Sequence, residues 1–296
     1  MKRTHLASRS GKLVTFLREE LELSANLTQK LVKQGQVQVN GSPARLYQKI
    51  VPGDQIFLQL VEDLPGYPPE PGPLEILYED EAVIALDKPA GLVMHPTAAR
   101  PAGTLAGRLV AYYQQTGQRC GIHFVSRLDR DTFGVVLAAK NGWAHAQLAK
   151  ALEAGKVCKT YRAAVYGVPA EAGDIVQPLG RVPGDPLLRC VQQGGQYAKS
   201  TYRRLETDGV CSLLELHPIT GRTNQLRVHC AWMGCPILGD SQYGTEASQT
   251  YSLARGYRWQ QLCAVSLTFP HPVTGAVVTV ASRQGVTLPT APGGTL

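Results

Sequence analysis

The sequence predicts an α+β protein: a mixed, largely antiparallel central sheet with flanking helices, preceded by a small N-terminal α/β module. Segments rich in β-branched residues outnumber helical segments, and short turns separate them, which favours hairpins over crossover connections. Between the two units, residues 62–73 hold five prolines and two glycines in twelve positions. Such a segment is neither helix nor inner strand. We therefore expect a module over residues 11–61, a linker over 62–73 and a large domain over 74–288.

The N-terminal module is predicted from two helical periodicities and one hairpin turn. Apolar residues recur at helical spacing over residues 13–21. A second helix begins after Ser24, a favoured capping residue, and ends at Gly35. Residues 36–39 alternate polar and apolar, and the Asn-Gly pair at 40–41 that follows is a strong signal for a two-residue hairpin turn. The module is thus expected to contain two short helices followed by a hairpin.

Positive charge is concentrated in the first 61 residues. The chain has 30 Lys and Arg against 23 Asp and Glu, an excess of seven, and nine basic against four acidic residues before position 62 supply five of that excess. This balance indicates a polyanionic partner, although a soluble basic enzyme without one is the alternative. The candidate phosphate contacts are Lys12, Lys30 and Lys33. For each lysine taken singly, a solvated helix face is the alternative.

The large domain is predicted to begin with strands and to continue with strands and helices in alternation. Strands are predicted over residues 74–78, 82–86, 135–139, 159–166 and 199–205, and helices over residues 104–115 and 143–154. A segment rich in Gly and Pro, residues 169–196, is predicted to be an insertion.

Other patterns in the chain speak against several classes of protein. No apolar run approaches the roughly 18 residues of a membrane span, and the basic start over residues 1–8 lacks the apolar core of a signal peptide. We therefore expect a cytoplasmic protein without a membrane partner. The seven cysteines are scattered without a C-x-x-C pair, which predicts reduced packing residues and no metal site. Neither the dinucleotide fingerprint nor the phosphate loop occurs, so no cofactor is expected.

Charge is dense in residues 126–132, Ser-Arg-Leu-Asp-Arg-Asp-Thr, which stand directly before a predicted buried strand. Gly134, at the junction with the strand, suits a tight turn or a close backbone approach. Charged side chains rarely enter a buried element, so the cluster is either a structural ion-pair network or an active-site loop. Local chemistry alone leaves both alternatives open.

The pattern Arg127-Leu128-Asp129, then Thr132, Gly134 and an apolar strand, resembles the catalytic motif of the RluA-type pseudouridine synthases. Further blocks that resemble this family follow the same order, at residues 87–96, 159–163, 221–229, 234–240, 243–244 and 271–275. The resemblance implies the pseudouridine synthase fold and isomerisation of uridine in structured RNA. Residues 11–61 resemble the small RNA-binding module of a small-subunit ribosomal protein, which implies that Lys12, Lys30 and Lys33 bind RNA.

The implied reaction moves a base within one nucleotide without redox change, so a carboxylate that adds to the ribose or base, or removes a sugar proton, suffices. The resemblance assigns this role to Asp129. It also implies that Arg222 is the cation that keeps the Asp129 carboxylate ionised. Without the resemblance, Arg222 is typical of a surface turn. Tyr161 is expected to stack on the uracil or to take the proton from carbon 5, the alternative being an ordinary strand tyrosine. Arg127 resembles the arginine that enters the space left by a flipped base. Further substrate-binding candidates are His95, Thr132 and Lys159.

Two local expectations accompany this site. In an extended segment Asp131 points away from Asp129, so the two carboxylates do not face each other as in a glycosidase. Asp131 is instead expected to bind a backbone N–H or an arginine. Thr223 is expected to cap a helix over residues 224–232, which would direct the positive end of that helix towards Asp129.

Three residues depart from the family pattern, since Ser126, Asn224 and Cys263 stand where histidines are usual. They are not expected to alter the roles of Asp129, Tyr161 and Arg222, but they leave the RNA target open. The expected function is a monomeric RNA pseudouridine synthase that acts on ribosomal RNA of the large subunit. The alternatives are a transfer-RNA pseudouridine synthase and a non-catalytic RNA-binding or ribosome-assembly protein.

Overall fold

The structure is a computed structural model that describes residues 1–62, 64–97 and 100–288. The N-terminal module pairs a four-stranded antiparallel sheet with two helices and a short two-stranded ladder. Its elements are β1 (Lys2–Leu6), β2 (Gly11–Lys12), α1 (Leu13–Glu19), α2 (Ala25–Lys33), β3 (Val37–Val39), β4 (Ser42–Pro43), β5 (Lys49–Ile50) and β6 (Gln55–Gln59).

The local predictions for this module are confirmed. Ser24 caps α2, because its hydroxyl accepts a hydrogen bond from the Leu27 N–H at 3.2 Å. Gly35 ends the helix with φ +69°, and Asn40 and Gly41 both have positive φ, as a hairpin turn of this type requires. The strand β1 was not predicted: it pairs with β6 through the backbone, and its side chains are mostly exposed.

The central sheet has ten strands and is mixed but largely antiparallel, which confirms the predicted fold class. Its longest path runs β12-β15-β16-β11-β17-β10-β8-β7, and only the contact between β10 and β17 is parallel among the described strand pairs. The strands are β7 (Glu75–Glu79), β8 (Val83–Lys88), β9 (His123–Phe124), β10 (Phe133–Ala139), β11 (Cys158–Tyr166), β12 (Ala172–Val176), β15 (Lys199–Thr207), β16 (Cys211–Pro218), β17 (Leu262–Pro270) and β18 (Val277–Ala281).

The described part of the large domain also contains four helices and one hairpin. The helices are α3 (Leu105–Gln115), α4 (Gly142–Glu153), α5 (Gln225–Trp232) and α6 (Glu246–Ala254). The insertion predicted over residues 169–196 is confirmed only in part: β12 is an edge strand of the central sheet, whereas β13 (Leu179–Val182) and β14 (Asp185–Val191) form a separate two-stranded hairpin. This hairpin packs against α5, which borders the candidate site.

Strand β10 separates the two larger apolar cores, because its side chains alternate between the two faces of the sheet. Val135, Leu137 and Ala139 join a core that continues into the N-terminal module, whereas Val136 and Ala138 join the core beneath α3. Gly134 has φ +105°, and a Cβ there would overlap the backbone of Ala264 on β17. The predicted close approach is confirmed, and it holds the loop before β10 against β17.

Glu62 and Glu70 of the predicted linker both contact the large domain. The Glu70 carboxylate accepts hydrogen bonds from the backbone N–H groups of Gly103 and Thr104 at the start of α3. Glu62 accepts a bond from the Gly142 N–H at 2.6 Å and lies 2.7 Å from His123 Nε2. The Trp143 indole donates to the Leu21 carbonyl at 2.9 Å, which fixes the N-terminal module to α4.

Candidate active site

A cavity of about 620 Å³ opens where the loop before β10, strand β11 and the turn before α5 meet. This volume falls within the range of roughly 300–1,000 Å³ that is typical of small-ligand sites. The structure brings together at this cavity all seven residues that the sequence assigned to catalysis and substrate binding: His95, Arg127, Asp129, Thr132, Lys159, Tyr161 and Arg222.

Asp129 is paired with Arg227 on α5. Arg227 Nη1 lies 3.2 Å from Asp129 Oδ2. The same guanidinium holds Asp240 with Nε and Nη2 at 2.7 and 2.8 Å, and Nη2 also donates to Gln242 Oε1 at 2.7 Å. Arg227 and Asp240 are buried, whereas the Asp129 side chain keeps 30% of its surface exposed. The buried Arg227–Asp240 pair therefore presents one N–H to a carboxylate that faces the cavity.

The electrostatic environment of Asp129 contains opposing influences. Burial raises the pKa of Asp129 above its usual range and the Asp240 carboxylate adds to this, while Arg227 and Lys88 act against the rise. Lys88 lies at the end of β8 with its Nζ on the carbonyls of Pro89, Leu92 and Arg130. Burial lowers the pKa of Lys88 to about 7. Three carbonyl acceptors require three N–H donors, however, so the ammonium form fits this position better.

The expectation that Arg222 holds Asp129 ionised is corrected by the structure, which places Arg227 there. Arg222 is exposed, its Nε donates to the Tyr197 carbonyl at 3.0 Å, and its N–H donates to Gln225 Oε1 at 3.0 Å. The physical reason is that Arg222 lies in the exposed turn before α5, where it bonds to Tyr197, whereas Arg227 lies within α5 and is held beside Asp129 by Asp240. A signal for Arg227 was present in the sequence, since it alternates with Leu226, Val228 and Cys230 in the predicted helix, and a charged side chain buried among them needs a partner.

The predicted cap at Thr223 is also wrong. The residue at the N-terminal end of α5 is Asn224, which has the left-handed backbone conformation with φ 56° and makes no side-chain cap bond. The Gln225 side chain instead orders the turn, because its Oε1 accepts from the Thr220 hydroxyl at 2.7 Å and from the Arg222 N–H.

Asn224 touches the candidate catalytic group, contrary to the expectation that the three departures leave these roles alone. With its amide nitrogen turned to Asp129, it donates to Oδ1 and Oδ2 at 3.1 and 2.9 Å, and its oxygen accepts from the Tyr243 hydroxyl at 2.9 Å. This orientation is assigned from the hydrogen-bond network, as is usual for amides. An ionised carboxylate can only accept, so the nitrogen must face it.

Tyr161 lies on β11, with 9% of its surface exposed, at an irregularity in the pairing with β17. Burial raises the pKa of Tyr161 far above neutrality, and the charge on Asp129 is a second cause of this rise. Its hydroxyl therefore keeps its proton. Lys159 lies two residues earlier on the same strand, and burial lowers the pKa of its ammonium group.

The remaining predicted residues occupy different parts of the cavity. Arg127 is exposed, while Thr132 is buried and its hydroxyl accepts from Gln260 Nε2. His95 packs edge-on against Phe124, with ring centroids 4.9 Å apart. Asp131 binds Arg130 at 2.7 and 2.6 Å, which confirms its expected arginine partner.

The three lysines assigned to RNA binding, Lys12, Lys30 and Lys33, are exposed on the N-terminal module. Lys30 also borders the junction with the large domain, near Glu62 and Trp143. Over the described ranges, no group of three or more His, Cys, Asp or Glu side chains gathers as metal ligands. None of the described helices is long and apolar enough to cross a membrane.

Comparison with known proteins gives a consistent family. Residues 82–232 match the family model described as RNA pseudouridylate synthase, and residues 12–56 match the S4 domain. An uncharacterized RNA pseudouridine synthase of Synechocystis is 39% identical over 280 residues, covering 90% of this chain and 84% of the relative. The ribosomal large subunit pseudouridine synthase D of Vibrio parahaemolyticus is 36% identical over 269 residues, covering 86% of this chain and 82% of the relative.

A solved structure supports the same fold. Human RNA pseudouridylate synthase domain containing 1 has a TM-score of 0.59 and 26% identity, covering 73% of this chain and 86% of that one. The chain belongs to the RNA pseudouridine synthases of the RluA type and carries an N-terminal S4 domain. It is thus an RNA-binding isomerase that converts uridine to pseudouridine.

Proposed function

We propose that this protein modifies specific uridines in ribosomal RNA of the large subunit, with Asp129 as the catalytic carboxylate. The observation that carries this assignment is the cavity in which Asp129 lies against Arg227 with part of its carboxylate open. The target class is supported by the relatives named ribosomal large subunit pseudouridine synthase D in Vibrio parahaemolyticus and Xanthomonas campestris, both 36% identical to this chain.

In the proposed reaction the target uridine leaves its stack and enters the cavity, which costs a few kcal/mol. Arg127, exposed beside the cavity, fills the space that the base leaves. Asp129 adds to the ribose or base, or removes a sugar proton, while the bond from N1 to the ribose breaks. The base turns and carbon 5 bonds to the ribose, while Asp129 leaves the carbon to which it added or returns the sugar proton that it took. The proton from carbon 5 passes to solvent and N1 takes up a proton, so the product is an isomer of the uridine.

The other residues have supporting roles in this proposal. Tyr161 stacks on the uracil, because a hydroxyl whose pKa is raised far above neutrality is a poor acceptor for the proton of carbon 5. Arg222, exposed beside the cavity, contacts a phosphate of the RNA instead of Asp129. His95, Thr132 and Lys159 contribute to the walls that surround the base.

Residues 11–61 serve in this proposal as the RNA-binding module, 62–73 as the connection and 74–288 as the catalytic domain. Lys12, Lys30 and Lys33 supply phosphate contacts that do not read sequence. In this proposal the enzyme works as a monomer. It acts in the cytoplasm, where a bacterial ribosomal RNA target is found.

Release of tritium from RNA that carries tritium at carbon 5 of uracil tests the activity. Wild-type protein should release tritium from large-subunit ribosomal RNA, and Asp129→Asn should not. Transfer RNA serves as the competing substrate. No release from either RNA would favour a non-catalytic RNA-binding protein, whereas release from transfer RNA alone would replace the proposed target.

A further inference from the structure

The side chains around Asp129 form a chain of hydrogen bonds that reaches the insertion hairpin. The Arg189 N–H on β14 donates to the Tyr243 hydroxyl at 3.0 Å. The Tyr243 hydroxyl is then free to donate its own hydrogen to the Asn224 oxygen at 2.9 Å. The Asn224 nitrogen in turn donates to both oxygens of Asp129. Each group therefore has a defined donor or acceptor role, and the direction runs from the hairpin to the carboxylate.

The backbone at Asn224 supports the same conclusion. Asparagine is one of the few residues other than glycine that adopts a φ of 56° at low cost. Because Asn224 is not used as a side-chain cap of α5, its amide is left to bridge Tyr243 and Asp129. Tyr243 also lies against the Arg227 guanidinium, with the guanidinium carbon 4.8 Å from the ring centroid. Asn224 thus contacts Asp129 and Tyr243 contacts Arg227, so the two residues touch both members of the ion pair.

We infer that Asn224 and Tyr243 are positioning residues that orient the Asp129 carboxylate and favour its ionised form. This inference rests on the proposed catalytic role of Asp129 and adds two residues to it. Hydrogen bonds donated to a carboxylate favour its charged form, so two N–H contacts from Asn224 act in the same direction as Arg227. The other groups that face Asp129 are Lys88 at the end of β8, Asp240 after α5 and Tyr161 on β11.

Substitutions at Asn224 separate the backbone conformation from the side-chain contacts. Asn224→Gly keeps the left-handed conformation and removes the donors. Asn224→His offers a ring N–H, and histidine is also enriched in this conformation. In single-turnover tritium release from large-subunit ribosomal RNA, Asn224→Gly should slow the reaction about tenfold on the acid side of the pH–rate profile. Its rate should recover at higher pH, and Asn224→His should stay within about threefold of wild type, since it restores a donor.

A matched control lies in the N-terminal hairpin. Asn40 also has positive φ and donates to a carboxylate, Asp54, at 2.8 Å, but in an exposed turn. Asn40→Gly should therefore leave the midpoint of the acid limb where it is. Tyr243→Phe keeps the ring against Arg227 and removes the hydroxyl, so it should shift the midpoint less than Asn224→Gly does. The double variant should not add the two effects, because both act through one contact.

Several results would overturn the inference. These are a wild-type profile for Asn224→Gly, an equal loss at every pH, or additive effects of Tyr243→Phe and Asn224→Gly. The ¹³C titration of the Asp129 carboxyl, assigned by comparison with Asp129→Asn, provides a readout that needs no RNA. A wild-type protein that releases no tritium would refute the proposed function, whereas an unchanged Asp129 titration in Asn224→Gly would refute the positioning role by itself.

Discussion

Replacing Arg227 by lysine keeps the charge at this position but removes the planar group that binds two carboxylates at once. The Arg227 guanidinium makes two bonds to Asp240 and one to Asp129. A lysine ammonium is a point charge on a flexible stem and cannot reproduce this geometry. Asp240 has no exposed side-chain surface, so the ammonium should stay with Asp240, and Asp129 should lose its partner.

The size of the effect follows from the contact that is lost. A hydrogen bond to a charged group contributes about 1.5–3 kcal/mol, which corresponds to a rate change of about 10- to 150-fold. Losing the contact from Arg227 raises the pKa of Asp129 further, because the ionised form loses its hydrogen-bonded cation and keeps only the weaker influence of Lys88. The reaction should therefore slow at acidic and neutral pH and recover as the pH rises and the carboxylate ionises again.

The assay is single-turnover tritium release between about pH 5 and 9, the range in which a raised carboxyl pKa is observable. RNA affinity is measured at each pH, and a thermal melt checks the fold. Arg222→Lys is the matched comparison, since Arg222 lines the same cavity but bonds to the Tyr197 carbonyl. Its pH profile should keep the wild-type midpoint. The ion-pair reasoning fails if Arg222→Lys shifts the midpoint and Arg227→Lys does not.

Three further predictions concern the nucleophile, the RNA-binding module and the strand junction. Asp129→Asn should abolish tritium release and retain RNA binding. Because burial raises the pKa of Asp129, the wild-type protein loses stability as this carboxyl ionises, and the variant does not. The melting temperature of the variant relative to wild type should therefore increase as the pH rises through the pKa of Asp129. Residual turnover above about one per cent in Asp129→Asn would contradict the assignment of Asp129 as the catalytic carboxylate. Deleting residues 1–61 should weaken RNA binding and flatten its dependence on salt, and an unchanged slope of log affinity against log salt would show that the module makes no phosphate contacts. Gly134→Ala should lower the free energy of unfolding by about 2–4 kcal/mol, measured by urea denaturation, because positive φ and overlap with the Ala264 backbone both act there. Gly209→Ala, with positive φ but open space, should cost clearly less, and equal costs would rule out the overlap.

The sequence by itself determined the features that depend on near neighbours. The Ser24 cap and the hairpin turn at Asn40 follow from side-chain preferences within a few positions, and the structure has both. The buried strand predicted over residues 135–139 follows from a continuous apolar run after Gly134 and a polar loop, and the structure begins that strand two residues earlier, at Phe133. The family resemblance, carried by several blocks spread along the chain, also placed seven separate residues at one cavity, because it holds long-range information that a local pattern lacks.

Only the tertiary structure decided which side chains meet Asp129. Arg227 lies 98 positions further along the chain, so its contact depends on the order of strands in the sheet and on the residue at which α5 begins. Asn224, in the left-handed conformation, stands at the start of α5. Arg222 lies outside the helix, and the Asn224 amide faces the Asp129 carboxylate. Periodicity reports on neighbours three or four positions away. It therefore could not decide whether Arg222 or Arg227 contacts Asp129, and the three-dimensional structure was required to do so.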